Sequence, residues 1–170
     1  MSELILVDES DREVGTASVL EGHSGDGILH RAFTIFIFNP RREILIQRRS
    51  AGKPLWPSTW ETSCSGHQSK GEDAMAAGEK RLRQELGFEA RLRTVGKFTY
   101  QARYLDVGAE NEMCYVLVGE YDGEVRPDPA EVQEYRWTGA DQLARAIEEK
   151  RDDYAPWLVV GLDFITAEPV

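Results

Sequence analysis

Hydrophobic and polar positions along the chain sort into strand-like and helix-like stretches with no linker between them. Apolar runs at 4–7 and 14–19 flank the polar cluster Asp8-Glu9-Ser10-Asp11, which predicts an opening hairpin. The densest strand signal follows. Ala32-Phe33-Thr34-Ile35-Phe36-Ile37-Phe38 is rich in β-branched and aromatic residues, stops at Asn39-Pro40 and resumes over 43–47. It therefore predicts a second hairpin whose arms both lie centrally in a sheet. From 72 to 86 the composition turns to Ala, Met, Glu, Lys, Arg, Leu and Gln and ends at Gly87, which predicts a helix closed by a C-terminal glycine. Further strands are predicted at 97–104, 112–121 and 132–137, and helices at 141–151 and 156–165. Strands in the middle of the chain with helices after them predict an α+β sandwich. No repeat, low-complexity tract or Pro/Gly/Ser linker divides it, so a single domain is expected over 1–170.

Composition narrows the function classes. With 170 residues, 41% hydrophobic and 29% charged, the chain is long enough to bury a sizeable core. Thirty acidic against twenty basic side chains give a formal charge of −10, opposite to what a nucleic-acid wrapper needs, so no nucleic-acid partner is expected. An anionic ligand must then be met by a local basic cluster. No stretch approaches the roughly 18 unbroken apolar residues of a membrane span, and MSELILVDESDRE places no basic region before an apolar one. A cytoplasmic chain with no membrane partner is expected, and the sequence carries no signal for an oligomeric state. Cys64 and Cys114 are the only two cysteines, too few for a disulfide framework, and reduced thiols are expected.

Candidate chemistry gathers at few positions. The chain has three histidines, His23, His30 and His67, none in a segment predicted to be deep core. Glu110-Asn111-Glu112-Met113-Cys114 enters a predicted strand, where residues two apart share a face. Two carboxylates projecting together repel, so the pair points to a metal or a shared proton, with an acidic strand start facing solvent as the plainer alternative. The segment Gly66-His67-Gln68-Ser69-Lys70-Gly71-Glu72 feeds the predicted helix.

That loop and helix resemble the Nudix box. Gly66, Glu72, Leu82, Glu85, Gly87 and Phe88 fit its spacing, whereas Lys80 replaces the box arginine and Arg81 and Gln84 replace two of its glutamates. Much of the carboxylate cluster of the Nudix hydrolases is thereby lost. The degenerate box and its surroundings resemble the type I isopentenyl-diphosphate isomerase family, over roughly residues 3 to 165. The pieces that carry the resemblance are His23 and His30 seven apart, Leu29-His30-Arg31-Ala32-Phe33, Gln47-Arg48-Arg49-Ser50 with Lys53, and Trp56-Pro57. With them come Trp60, Gly66-His67, Phe98-Thr99-Tyr100, Glu110 to Cys114, and Pro156-Trp157.

The resemblance implies a Nudix-type α/β/α sandwich around a mixed central sheet. It implies a divalent ion, Mn²⁺, Zn²⁺ or Mg²⁺, on His23, His30, His67, Glu110 and Glu112, and a Mg²⁺ on the substrate diphosphate near Glu85. Glu85 would also pair with Arg81 one helical turn earlier. Arg49, Lys53 and Arg81 match diphosphate-binding residues, while a lysine of the family falls at Val19. The implied reaction turns isopentenyl diphosphate into dimethylallyl diphosphate, with Glu112 and Tyr100 handling protons on one face and Trp157 shielding a carbocation. A cysteine serves the other face in the family, and its position here is Ser65, with Cys64 one place earlier and expected to be buried. A hydroxyl exchanges protons less readily than a thiol, whose reference pKa is near 8.5, so reduced activity is implied. The alternative is a Nudix hydrolase of a small diphosphate or nucleotide, using Glu72, Glu85 and the Glu110/Glu112 metal to activate water.

Overall fold

In the computed structural model, which describes residues 2–167, the spine of the fold is β3 (His30–Phe38). All its residues but Arg31 are buried, as its run of Phe and Ile requires. Along its whole length it pairs in parallel with β8 (Gly108–Glu120), from His30 opposite Glu112 to Phe38 opposite Glu120. Three short partners share its other edge in turn. These are β1 (Glu3–Val7) at Leu6, β6 (Cys64–Gly66) over Phe33 to Ile35, and β4 (Ile44–Arg49) at Phe38.

The second predicted hairpin is therefore corrected. Its arms meet only at Phe38 and Ile44, because the rest of that β3 edge is taken by β6 and β1. β4 turns instead to β9 (Val132–Thr138), with Ile44 opposite Thr138, and to β5 (Trp60–Glu61). β7 (Arg93–Tyr104) forms a long hairpin with β8, and β2 (Glu13–Ser18) pairs with β1 in the predicted opening hairpin. The sheet is mixed and has nine strands among the described residues.

Alternation along β3 assigns the two faces. Phe33, Ile35 and Ile37 pack with Leu45 and Leu117 against α2 (Ala74–Leu86), which contributes Ala77, Leu82 and Leu86. Phe36 and Phe38 face the other way with Ile44, Ile46 and Val116. There they meet Leu143 and Ile147 of α3 (Ala140–Glu149) and Leu158, Leu162 and Ile165 of α4 (Pro156–Ala167). This is the expected α/β/α sandwich. A glycine brings α2 close to the sheet: a Cβ on Gly78 would lie 2.8 Å from both Leu117 and Leu92.

Two element boundaries depart from expectation for local reasons. The strand predicted over 14–19 stops at Ser18, which caps α1 (Val19–His23) through a reciprocal capping box with Glu21. The helix predicted from 72 starts at Ala74 with Asp73 as its cap, because the Glu72 carboxylate accepts the Ser69 N–H instead. Gly87 ends α2 in the left-handed conformation, as predicted.

Candidate active site

α1, β3, β8 and the segment after β6 bring five side chains together. α1 delivers His23 from its last turn, β3 delivers His30 at its first residue, and His67 follows β6. β8 delivers Glu110 and Glu112, and its parallel register with β3 sets Glu112 beside His30. His30 donates from Nδ1 to the Ile28 carbonyl at 2.7 Å, which leaves its Nε2 lone pair aimed into the site. That nitrogen lies 3.3 Å from His67 Nε2 and 3.7 Å from Glu110 Oε2. His23 Nε2 lies 3.0 Å from Glu110 Oε2, and His67 Nε2 lies 3.7 Å from Glu112 Oε2. His30 was expected outside the deep core, yet it is 0% exposed, because the first residue of the spine strand is covered by the cluster it joins.

Donor atoms of His23, His30, His67 and Glu110 all lie within 4.8 Å of one another. Ligands about 2.1 Å from a shared ion stand about 3 to 4 Å apart, so the cluster has the span of a coordination sphere. A second observation agrees. His23 Nε2 and Glu110 Oε2 are buried and neither has a hydrogen-bond partner, despite their closeness. A buried imidazole nitrogen and a buried carboxylate oxygen 3.0 Å apart with no hydrogen bond between them are what a cation would satisfy.

The electrostatics point the same way. Burial pushes His30 down to about 4, and lowers His23 and His67 as well, so the three imidazoles are neutral. Burial raises Glu110 to about 7 and pushes Glu112 well above its ordinary range, the neighbouring carboxylate adding to the second shift. Neutral imidazoles beside two carboxyls with high proton affinity form a set that a divalent ion would neutralise.

Tyr100 of β7 stands opposite Glu112 in the antiparallel register, and its hydroxyl donates to Glu112 Oε1. Burial and then the Glu112 carboxylate hold the phenol protonated, well above its ordinary range. Trp157, at the start of α4, lines a cleft with His67, Glu110 and Glu112, and its ring is 6.4 Å from that of Tyr100 and edge-on to Trp56. Arg49 sits over its ring at 5.1 Å. The cleft has a volume of about 390 Å³, and Ser65, Arg49, Lys53, Arg81, Glu85, Glu110 and Glu112 line it with His67.

Residues 28–158 match the NUDIX domain family. An isopentenyl-diphosphate Delta-isomerase of Nocardia farcinica is 39% identical over 163 residues, covering 95% of this chain and 93% of that protein. One of Halorhodospira halophila is 36% identical over 159 residues, with 92% and 91% covered. The chain belongs to the isopentenyl-diphosphate Delta-isomerase family of NUDIX-domain proteins. Its backbone resembles that of the DR0079 protein of Deinococcus radiodurans at a TM-score of 0.78, with 21% identity, covering 95% of this chain and 98% of the other. A MutT protein of Methanosarcina mazei follows at a TM-score of 0.68 and 15% identity, with 82% and 94% covered. These two likenesses support the Nudix fold.

For a Delta-isomerase family member, the site contains two carboxylates that sequence reasoning passed over. Glu131, in the turn before β9, accepts from Lys53 Nζ and from Arg81 Nη2 at 3.2 Å, so it occupies two of the three cations matched to diphosphate binding. Arg81 also reaches Glu85 at 2.8 Å, the expected one-turn pair. Glu61, at the end of β5, binds Arg49 through Oε2 and accepts the Ser65 hydroxyl on Oε1 at 2.6 Å. One signal was available: Glu61 is the only charged residue between Pro57 and Gly66. Cys64 is wholly buried as expected, and its thiol donates to Glu85 at 3.1 Å, away from the position Ser65 holds.

Proposed function

We propose that this chain catalyses the interconversion of isopentenyl and dimethylallyl diphosphate, with one proton added to the substrate and another removed in each turnover. The observation that carries the reading is the Tyr100–Glu112 hydrogen bond beside the cluster of His23, His30, His67 and Glu110, of which His67 and Glu110 line the cleft together with Glu112. A divalent ion held there by His23, His30, His67, Glu110 and Glu112, whether Mn²⁺, Zn²⁺ or Mg²⁺, supplies positive charge that favours the ionised carboxylates. Glu112 and Tyr100 then exchange a proton with substrate carbon on one face. Ser65 exchanges the other on the opposite face, more slowly than a thiol would. The Trp157 ring lies at the cleft wall, where its face can stabilise a tertiary carbocation.

The diphosphate is held by Arg49, Lys53 and Arg81, and Glu85 would hold a Mg²⁺ that neutralises part of its charge. Glu85 is 4% exposed, and its hydrogen bonds from Gln47 and Cys64 fix its side chain at the rim of that basic cluster. The hydrolase alternative has less support. It requires Glu72, whose carboxylate is engaged by Lys80 at 2.8 Å and by the Ser69 N–H.

The test is incubation with Mg²⁺, Mn²⁺ and isopentenyl diphosphate in D₂O, with NMR of the product and assay of released phosphate in the same tube. Deuterated dimethylallyl diphosphate without phosphate release is expected. Phosphate release without double-bond movement would reverse the choice in favour of a hydrolase.

A further inference from the structure

Glu61 and Ser65 form a pair that the chemistry so far leaves unexplained. A serine hydroxyl is a poor place to leave a charge, so it moves a proton well only when a second group takes its own proton in the same step. Glu61 is placed to be that group. Its Oε1 accepts the Ser65 hydroxyl at 2.6 Å, and its side chain is 3% exposed, so water does not compete for the bond.

The acceptor is also immobilised. Glu61 Oε2 is tied to Arg49, whose guanidinium is itself held by the Trp56 and Leu55 carbonyls, each at 3.0 Å. The two residues between Glu61 and Cys64 are pinned as well. Thr62 accepts from Thr34 at 2.7 Å and donates to the Cys64 carbonyl, and Ser63 donates to the Leu45 carbonyl while accepting the Ile37 N–H. The chain from β5 to β6 is thus a fixed bracket presenting Ser65 to the cleft with a carboxylate behind it. Cys64, the neighbouring thiol, is wholly buried against Glu85 and cannot take this part.

We infer that Glu61 is the positioning residue that makes Ser65 competent in proton exchange, accepting the Ser65 proton as Ser65 accepts one from substrate carbon. The inference rests on the isomerase reading above. In the step, the C–H electron pair becomes the new C=C π bond, the carbon's proton passes to Ser65 Oγ, and the serine's own proton passes to Glu61 Oε1. The reverse direction returns a proton from Glu61 through Ser65 to carbon. No oxidant or further reactant is required, and both carboxyl groups re-equilibrate with water between turnovers.

A double-mutant cycle on the metal-loaded protein tests it, with isopentenyl diphosphate as substrate and kcat, KM and deuterium uptake as readouts. E61Q is expected to lower kcat about tenfold or more, with KM changed by less than about threefold. In the S65C background the same substitution is expected to have little effect, because a thiol carries its own charge. E61D, which keeps the charge beside Arg49 but draws the carboxylate back by one methylene, serves if E61Q does not fold, and is expected to show the same dependence on background. Equal losses in both backgrounds, or a loss confined to KM, would show Glu61 to be only the counterion of Arg49. An inactive wild type overturns the inference outright. If S65C is then active the isomerase reading stands without Glu61, and if S65C is inactive too that reading falls with it.

Discussion

Glu112 is bracketed by two register partners, Tyr100 across the antiparallel β7–β8 ladder and His30 across the parallel β3–β8 ladder. One carboxylate is thereby joined to a half-buried tyrosine through one oxygen, while its other oxygen faces His67 at 3.7 Å. Glu112→Gln is expected to abolish isomerisation while leaving the circular dichroism spectrum intact, and Tyr100→Phe to lower kcat by about a hundredfold. Steady-state assays in Mg²⁺ and Mn²⁺ decide this, and an unchanged rate in Glu112→Gln removes it from the chemistry.

The metal reading makes a prediction about ion content. His67→Ala takes away one of the four convergent donors, so its bound metal by elemental analysis is expected to fall well below that of the wild type. Chelation should lower the wild-type melting temperature, since an ion at a hundred times its dissociation constant contributes about 2.7 kcal/mol to stability. The same treatment should barely move His67→Ala. Full metal content in that variant would contradict the ligand assignment.

A pH dependence follows with a definite sign. Glu110 sits at about 7 in the metal-free fold, so between its ordinary value of 4.5 and 7 the folded site holds a proton that binding must expel. The Glu110/Glu112 pair titrates jointly, and metal affinity should therefore rise as pH increases toward 7, with more than one proton released per ion near pH 6 because both carboxyls are raised. Calorimetry in two buffers of different ionisation enthalpy measures that release, which Glu110→Gln should diminish. His30 makes the fold itself depend on pH in the same direction. Its value of about 4 lies below the ordinary 6.5, so its contribution is intact above 6.5 and is lost as pH falls toward 4.

Much of this was legible along the chain because local rules and burial agree there. The run from Ala32 to Phe38 could only be a buried strand, and Gly87 stopped a helix of strong helix formers. The pairing of β3 was not legible, since an apolar run states that a strand is buried on both faces but not which partners flank it. The hairpin signal at Asn39-Pro40 brought Phe38 and Ile44 together and then lost to the fit of β4 on β9. α1 was missed although Ser18-Val19-Leu20-Glu21 spells a capping box, because the apolar alternation before it read on as strand. In the site, His23, His30, His67, Glu110 and Glu112 were found through a family pattern. Glu61 and Glu131 escaped because their importance lies in contacts with Ser65, Arg49, Lys53 and Arg81 made only on folding.

Glu131 leads to the last prediction. Its carboxylate joins Lys53 and Arg81, two of the cations that would receive the diphosphate, so an incoming diphosphate competes with an anion the protein itself supplies. The Glu131 side chain is 30% exposed, as is that of Arg81, and partly exposed pairs of this kind contribute about 0.2–1 kcal/mol each. Glu131→Gln should free both cations and tighten the binding of inorganic diphosphate with Mg²⁺ by up to about fivefold, with a matching fall in KM for isopentenyl diphosphate. The turnover number should change little, since Tyr100, Glu112 and Ser65 are untouched. Titration calorimetry with diphosphate distinguishes the two roles open to this residue: tighter binding marks Glu131 as a stand-in for substrate charge, and weaker binding marks it as the brace that aims Lys53 and Arg81 into the cleft.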